Sequence, residues 1–151
     1  MTSKTKRVAV TLRSTLESVD QTELFVSEVA RDYGFDEDER YRINLAAREA
    51  AVNAVLHGNA NDSSKRLTVT LDATAEAMSI SVADQGRGFD PGIVPDPLAP
   101  HNLHKGSGRG ILLIRAFMDE VYFRNLDPGT EVVLVKRRRT ITQGQINSAQ
   151  Q

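Results

Sequence analysis

The chain has no cysteine and no tryptophan, and only 5% of its residues are aromatic. Without cysteine there is no thiol nucleophile, no cysteine-ligated zinc, no iron–sulfur cluster and no disulfide scaffold. Long apolar runs are missing too. None approaches the roughly 18 residues that a membrane span requires, and the polar stretch from Met1 to Arg7 leads into no signal-type segment. A cytoplasmic protein without a membrane partner is the expectation. Charge of one sign is also lacking, because 19 basic residues stand against 20 acidic ones for a net charge of −1. Such a balance exerts no general pull on nucleic acid, so no direct nucleic-acid partner is expected and any anionic ligand needs a local site.

What remains is the composition of one soluble domain: 151 residues, 40% hydrophobic and 26% charged. Residues 1–138 carry alternating and helical apolar patterns, whereas 139–151 form a polar tail expected to be disordered. Arg7 to Arg13 alternates as a half-buried strand. Ser18-Val-Asp-Gln21 has capping-box spacing before a first helix that ends at Gly34. Asp36 is a second N-cap candidate, for a helix that runs to about His57 and stops at Gly58. Asn59 to Ser64 reads as a turn, followed by strands around Leu67–Leu71 and Glu76–Asp84. Phe89 to Lys105 holds four of the five prolines and has the length of a lid or binding loop. A third helix begins near Ser107, and two strands, around 121–123 and 131–135, flank the turn Asp127-Pro-Gly129. This non-alternating order excludes a doubly wound parallel sheet and implies an α+β sandwich, with helices packed on one face of a mixed, mostly antiparallel sheet.

Three polar clusters end these elements. Glu49 and Asn53, four apart on the second helix, share one face. Such a pair also suits a solvated helix surface, but the alanines at 46, 47, 50 and 51 allow another object to approach closely. Asp84-Gln-Gly-Arg-Gly88 follows an apolar strand. It fits a glycine-rich turn in which Asp84 bonds local backbone, and it fits equally a carboxylate that accepts a hydrogen bond from an exocyclic amine such as adenine's, with Gly86 and Gly88 admitting a flat ring. Gly106-Ser107-Gly108-Arg109-Gly110 opens the third helix, where converging N–H groups and the helix dipole suit phosphate. It is neither a Walker motif nor a dinucleotide fingerprint.

In this order, E-x-x-x-N on a helix, D-x-G-x-G after a strand, a long loop and then G-x-G-x-G resemble the N, G1 and G2 boxes of the GHKL ATPases, whose nucleotide-binding unit is the Bergerat fold. The resemblance covers roughly residues 7–138. Asn53-Ala-Val-Leu-His-Gly58, Gly110 to Val121 and Gly129-Thr130 look most like the small bacterial anti-sigma-factor serine/threonine kinases. It implies ATP and Mg²⁺ as cofactors, Asn53 as metal ligand and Glu49 as the base or water-orienting residue. It further implies Asp84, Gly86, Gly88 and Thr130 around adenine, and Gly106, Ser107, Gly108, Arg109 and Gly110 around the phosphates. These kinases place an arginine before the G2 glycines, where this chain has Lys105, a point charge without the bidentate fork. Implied partners are a sigma factor, an anti-anti-sigma substrate of STAS type and a second copy of the chain. A non-catalytic nucleotide-binding switch of the same fold is the alternative. A stand-alone histidine-kinase ATPase unit is less suited, for want of a phosphoacceptor helix.

Overall fold

The computed structural model describes residues 5–87 and 107–138, with the first five residues of its last helix, 107–111, described by backbone alone. The expected lid and tail lie outside these residues. Strand β1 (Lys6–Arg13) leads into helices α1 (Leu16–Asp32) and α2 (Glu37–Asn53), and α2 continues into a wider turn at Ala54–Gly58. Strands β2 (Arg66–Ala73) and β3 (Ala77–Ala83), helix α3 (Ser107–Phe117), and strands β4 (Glu120–Asn125) and β5 (Thr130–Arg137) complete the order.

Period-two patterning builds the sheet. Its spatial order is β1-β2-β3-β5-β4, and every pairing among the described strands is antiparallel, so the expected mixed character finds no parallel pair here. Register aligns two apolar rows across all five strands, Val8–Leu71–Ile80–Leu134–Val121 and Val10–Val69–Val82–Val132–Phe123. The buried members of these rows belong to the core that the helices cover. Thr68, Thr70, Ser79 and Ser81 alternate onto the opposite face.

The helices form the second layer. Helix α1 starts one turn before the expected capping box: Thr15 is its N-cap, its side chain accepting from the Ser18 N–H at 3.3 Å, while Ser18 itself is buried. An extended backbone at Thr15 leaves its hydroxyl oxygen free to reach the orphan N–H, a geometry that Ser18, already helical, no longer has. At α2 the expectation holds, with Asp36 Oδ1 accepting from the Glu39 N–H at 2.8 Å. Helix α2 lies between α1 and α3 and over β3 and β5. Ala46, Ala47, Ala50 and Ala51 are all at most 1% exposed, so the objects that approach the alanine surface are the neighbouring helices and the sheet.

Ile43, on α2, is fully buried in this core. Ile43→Ala should cost about 2–5 kcal/mol through lost transfer energy and the cavity left behind. A lower urea midpoint at unchanged slope would register it, and an unchanged midpoint would contradict the packing described.

Candidate functional site

Asp84 shares the parity of Ile80 and Val82 along β3, which carries its side chain beneath the helices rather than to the open face. Thr130 has the same parity as Val132 and Leu134 along β5. The two residues pair through their backbones, the Asp84 N–H donating to the Thr130 carbonyl at 2.9 Å. Asp84 is left 8% exposed. One carboxylate oxygen, Oδ1, accepts from the Gly86 N–H at 2.9 Å and the Thr130 N–H at 3.1 Å. The other, Oδ2, receives no hydrogen bond from any described residue. Burial raises the Asp84 carboxyl above its ordinary range, while the two N–H donors and the charge of Lys65 pull the other way.

Glycine makes room for this carboxylate. A Cβ at Gly58 would overlap Asp84 Oδ2, and one at Gly86 would overlap the Gly58 carbonyl. Gly129 has φ +107°, and a Cβ there would strike the Asp84 backbone oxygen. Gly58 is the last residue of the helical run, as expected, and the run does not end through a left-handed backbone at this position. The helix instead widens, with the Asn59 N–H donating to the Ala54 carbonyl at 2.7 Å, an i→i−5 bond. Left-handed backbone follows later, at Ala60 and Asn61.

A mostly apolar cavity opens beside Asp84. Ala50, Asn53 and Ala54 line it from α2 and its wide turn, Val82 and Asp84 from β3, and Phe123, Thr130, Val132 and Ile114 from the facing elements. Its volume is about 70 Å³. Ligand pockets usually span roughly 300–1,000 Å³, so this cavity is of a size for the edge of a ring and not for a whole nucleotide. Of the candidate residues, Asn53, Asp84 and Thr130 meet at this cavity, with Gly86 in the turn behind Asp84. Glu49 is half-buried one turn before Asn53 and does not line it. Neither Glu49 nor Asn53 bonds its side chain to another described residue. Ser107, Gly108, Arg109 and Gly110 form the first turn of α3, the end at which a helix leaves backbone N–H groups without intrahelical partners. Gly88, Lys105 and Gly106 lie outside the described residues.

These features fit an adenine nucleotide: a carboxylate with one oxygen left over, an apolar slot beside it, and a helix N-terminus further along the chain. For a metal ion the fit is sparser. Among the described residues no group of three or more His, Asp or Glu converges, so a divalent cation would rest on the neutral Asn53 oxygen plus phosphate oxygens and water, a set that suits magnesium.

Sequence reasoning missed Asn59. Assigned to a turn, it is fully buried, its Nδ2 donating to Ser14 Oγ at 2.9 Å and the Arg66 carbonyl at 3.0 Å, its Oδ1 accepting from the Gln85 N–H at 2.7 Å. Asparagine is common in turns, and no local pattern distinguishes one that points inward.

The sequence matches the histidine kinase-like ATPase domain family over residues 12–136. It is 31% identical over 127 residues to the serine-protein kinase RsbW of Bacillus licheniformis, covering 80% of this chain and 78% of that one. RsbW of Bacillus subtilis is 30% identical over the same shares. Among solved structures, the RsbU and RsbW domains of a Mycobacterium tuberculosis protein align with a TM-score of 0.65 at 21% identity, over 89% of this chain and 33% of that longer one. The catalytic domain of the histidine kinase ThkA aligns at 0.57 and 15% identity, over 87% and 97%. At such identities the structural matches speak for the fold alone.

Gly58→Ala should lower stability by about 1–3 kcal/mol, because the added methyl competes with the Asp84 carboxylate for one volume. Equilibrium urea unfolding of both proteins measures it, and coincident curves would refute the cradle.

Proposed function

The chain belongs to the histidine kinase-like ATPase domain family, and from that membership we propose that it binds ATP at Asp84 and acts as a protein serine kinase that also sequesters a sigma factor. The observation that carries the nucleotide reading is the Asp84 carboxylate, buried in a glycine cradle with one oxygen held by two N–H groups and the other left for a donor. Adenine presents an amine of that kind. Kinase relatives at 30–31% identity support the transfer step. The motif resemblance to anti-sigma-factor kinases supports the sigma factor and the STAS-type antagonist as partners. It likewise supports a homodimer and a cytoplasmic setting.

In this reading Glu49 accepts the proton of the incoming serine hydroxyl as its oxygen bonds to the γ-phosphorus and the β–γ bridging bond breaks to release ADP. Asn53 would hold Mg²⁺, which would supply neutralisation of phosphate charge. Asp84 and Thr130 fix the base, and the first turn of α3, with Lys105, neutralises phosphate.

Asp84→Asn should weaken ATP binding by about 1.5–3 kcal/mol, the worth of a hydrogen bond to a charged group. The pH dependence has a definite sign. The charged carboxylate is the better acceptor and its pKa is raised, so affinity is full at neutral pH and falls on acidification, starting at a higher pH than for an ordinary aspartate. Holding this anion also subtracts stability at neutral pH, a loss that shrinks as pH falls through the raised pKa. Asp84→Asn should therefore leave the melting temperature at neutral pH unchanged or higher. Titration calorimetry across pH compares wild type with Asp84→Asn, and affinity unaltered by the substitution would overturn the adenine assignment.

Glu49→Gln should slow transfer to an antagonist protein by about 10²–10⁴-fold while sparing ATP and sigma-factor binding, neither of which needs that proton. Transfer of labelled γ-phosphate, read beside wild type, decides this. Full activity in Glu49→Gln would remove the base assignment, and nucleotide binding without transfer in wild type would favour the non-catalytic switch.

A further inference from the structure

The turn that carries Asp84 is fastened by a set of bonds that the D-x-G-x-G pattern leaves unspecified. Asp84 Oδ1 accepts from the Gly86 N–H, closing a local turn whose middle residue, Gln85, points its own N–H away from that carboxylate. Asn59 takes this N–H on Oδ1 at 2.7 Å. Asn59 Nδ2 then donates to the Arg66 carbonyl at 3.0 Å, and the Arg66 N–H donates to Gln85 Oε1 at 2.7 Å. The three residues thus form a closed ring of hydrogen bonds. A further bond from Asn59 Nδ2 to Ser14 Oγ, at 2.9 Å, anchors the ring to the end of β1.

We infer that Asn59 and Gln85 are positioning residues for base recognition, holding the 84–86 turn so that Asp84 keeps one orientation and discriminates adenine from guanine. The inference rests on the nucleotide reading given above. A carboxylate attracts an exocyclic amine, but it repels the carbonyl oxygen that guanine presents at the corresponding ring position. That discrimination requires a carboxylate unable to turn aside. Asp84 has a backbone clamp on one flank, at Thr130, and the Asn59 ring on the other. Asn59 is fully buried and spends its whole amide on this task, and its bonds tie together the end of β1, the start of β2 and the turn after β3. Gln85 is exposed, so its side chain adds little packing and acts chiefly through the Arg66 bond.

The experiment measures Mg·ATP and Mg·GTP dissociation constants for the full chain and for Gln85→Met, Gln85→Glu, Asn59→Ala and Asp84→Asn. Gln85→Met keeps length but loses the acceptor. It should raise the ATP constant about three- to tenfold and narrow the preference over GTP, the scale of one or two lost hydrogen bonds. Gln85→Glu retains an acceptor oxygen and should restore both values towards wild type. Asn59→Ala should act like Gln85→Met or more strongly, and should it fail to fold, Gln85→Met alone decides. A merely structural ring would lower the melting temperature yet leave the ATP-to-GTP ratio of the folded protein untouched. That ratio unchanged in Gln85→Met, beside a weakened Asp84→Asn, would overturn this inference alone. A wild type that binds no adenine nucleotide, or an Asp84→Asn indistinguishable from it, would overturn the proposed function and this inference with it.

Discussion

A carboxylate beneath a helix loses most of its water, and an unpaired ionised group in such a place is costly. Asp84 has no described cation bonded to it and leans on backbone instead, through the N–H groups of Gly86 and Thr130. This requirement shapes everything nearby. Backbone donors can converge only where side chains stand aside, so Gly58, Gly86 and Gly129 surround it. The sheet register must bring β5 alongside β3 so that Thr130 meets Asp84. The end of α2 must open so that Gly58 passes over the carboxylate. A single buried charge thus sets conditions on three separate stretches of chain: the end of α2, β3 with its following turn, and the start of β5.

Much of the architecture was legible because its signals are local and periodic. Met78, Ile80 and Val82 on one parity predict a strand around Glu76–Asp84, and β3 is found there, with Asp84 buried just past its end. Asp36 caps α2 as its sequence suggests. Ser18 misleads because a capping box is defined by spacing alone, and Thr15, three residues earlier, offers a chemically equal hydroxyl from an extended backbone. The gathering of Asn53, Asp84 and Thr130 at one cavity was within reach only through motif order, since no physical rule links residues so far apart in sequence. Asn59 was beyond reach, because its partners Ser14, Arg66 and Gln85 become neighbours only when β1, β2 and β3 are assembled.

Helix α2 has an unusual division of labour. Its alanines give it little apolar bulk, yet it is the helix that α1, α3 and the sheet all touch. Small side chains bring its axis close to its neighbours, which in turn carries Asn53 near enough to β3 and β5 to share a cavity with Asp84 and Thr130. Larger residues there would add contact area and would lift the helix off the sheet. Closeness, more than hydrophobic gain, is what the alanine surface provides.

The wide turn at Ala54–Gly58 holds one more residue per bond ring than an α-helix does. An ordinary helix advances about 100° per residue, so the extra residue fixes the phase at which Gly58 and Asn59 leave it. Leu56 and His57 within the turn are exposed, and their identities matter little to the packing beneath. Their number matters a great deal. Chain length at this point constrains the site more than the identity of these two residues does: a one-residue deletion would rotate the glycine away from the carboxylate and aim the asparagine elsewhere.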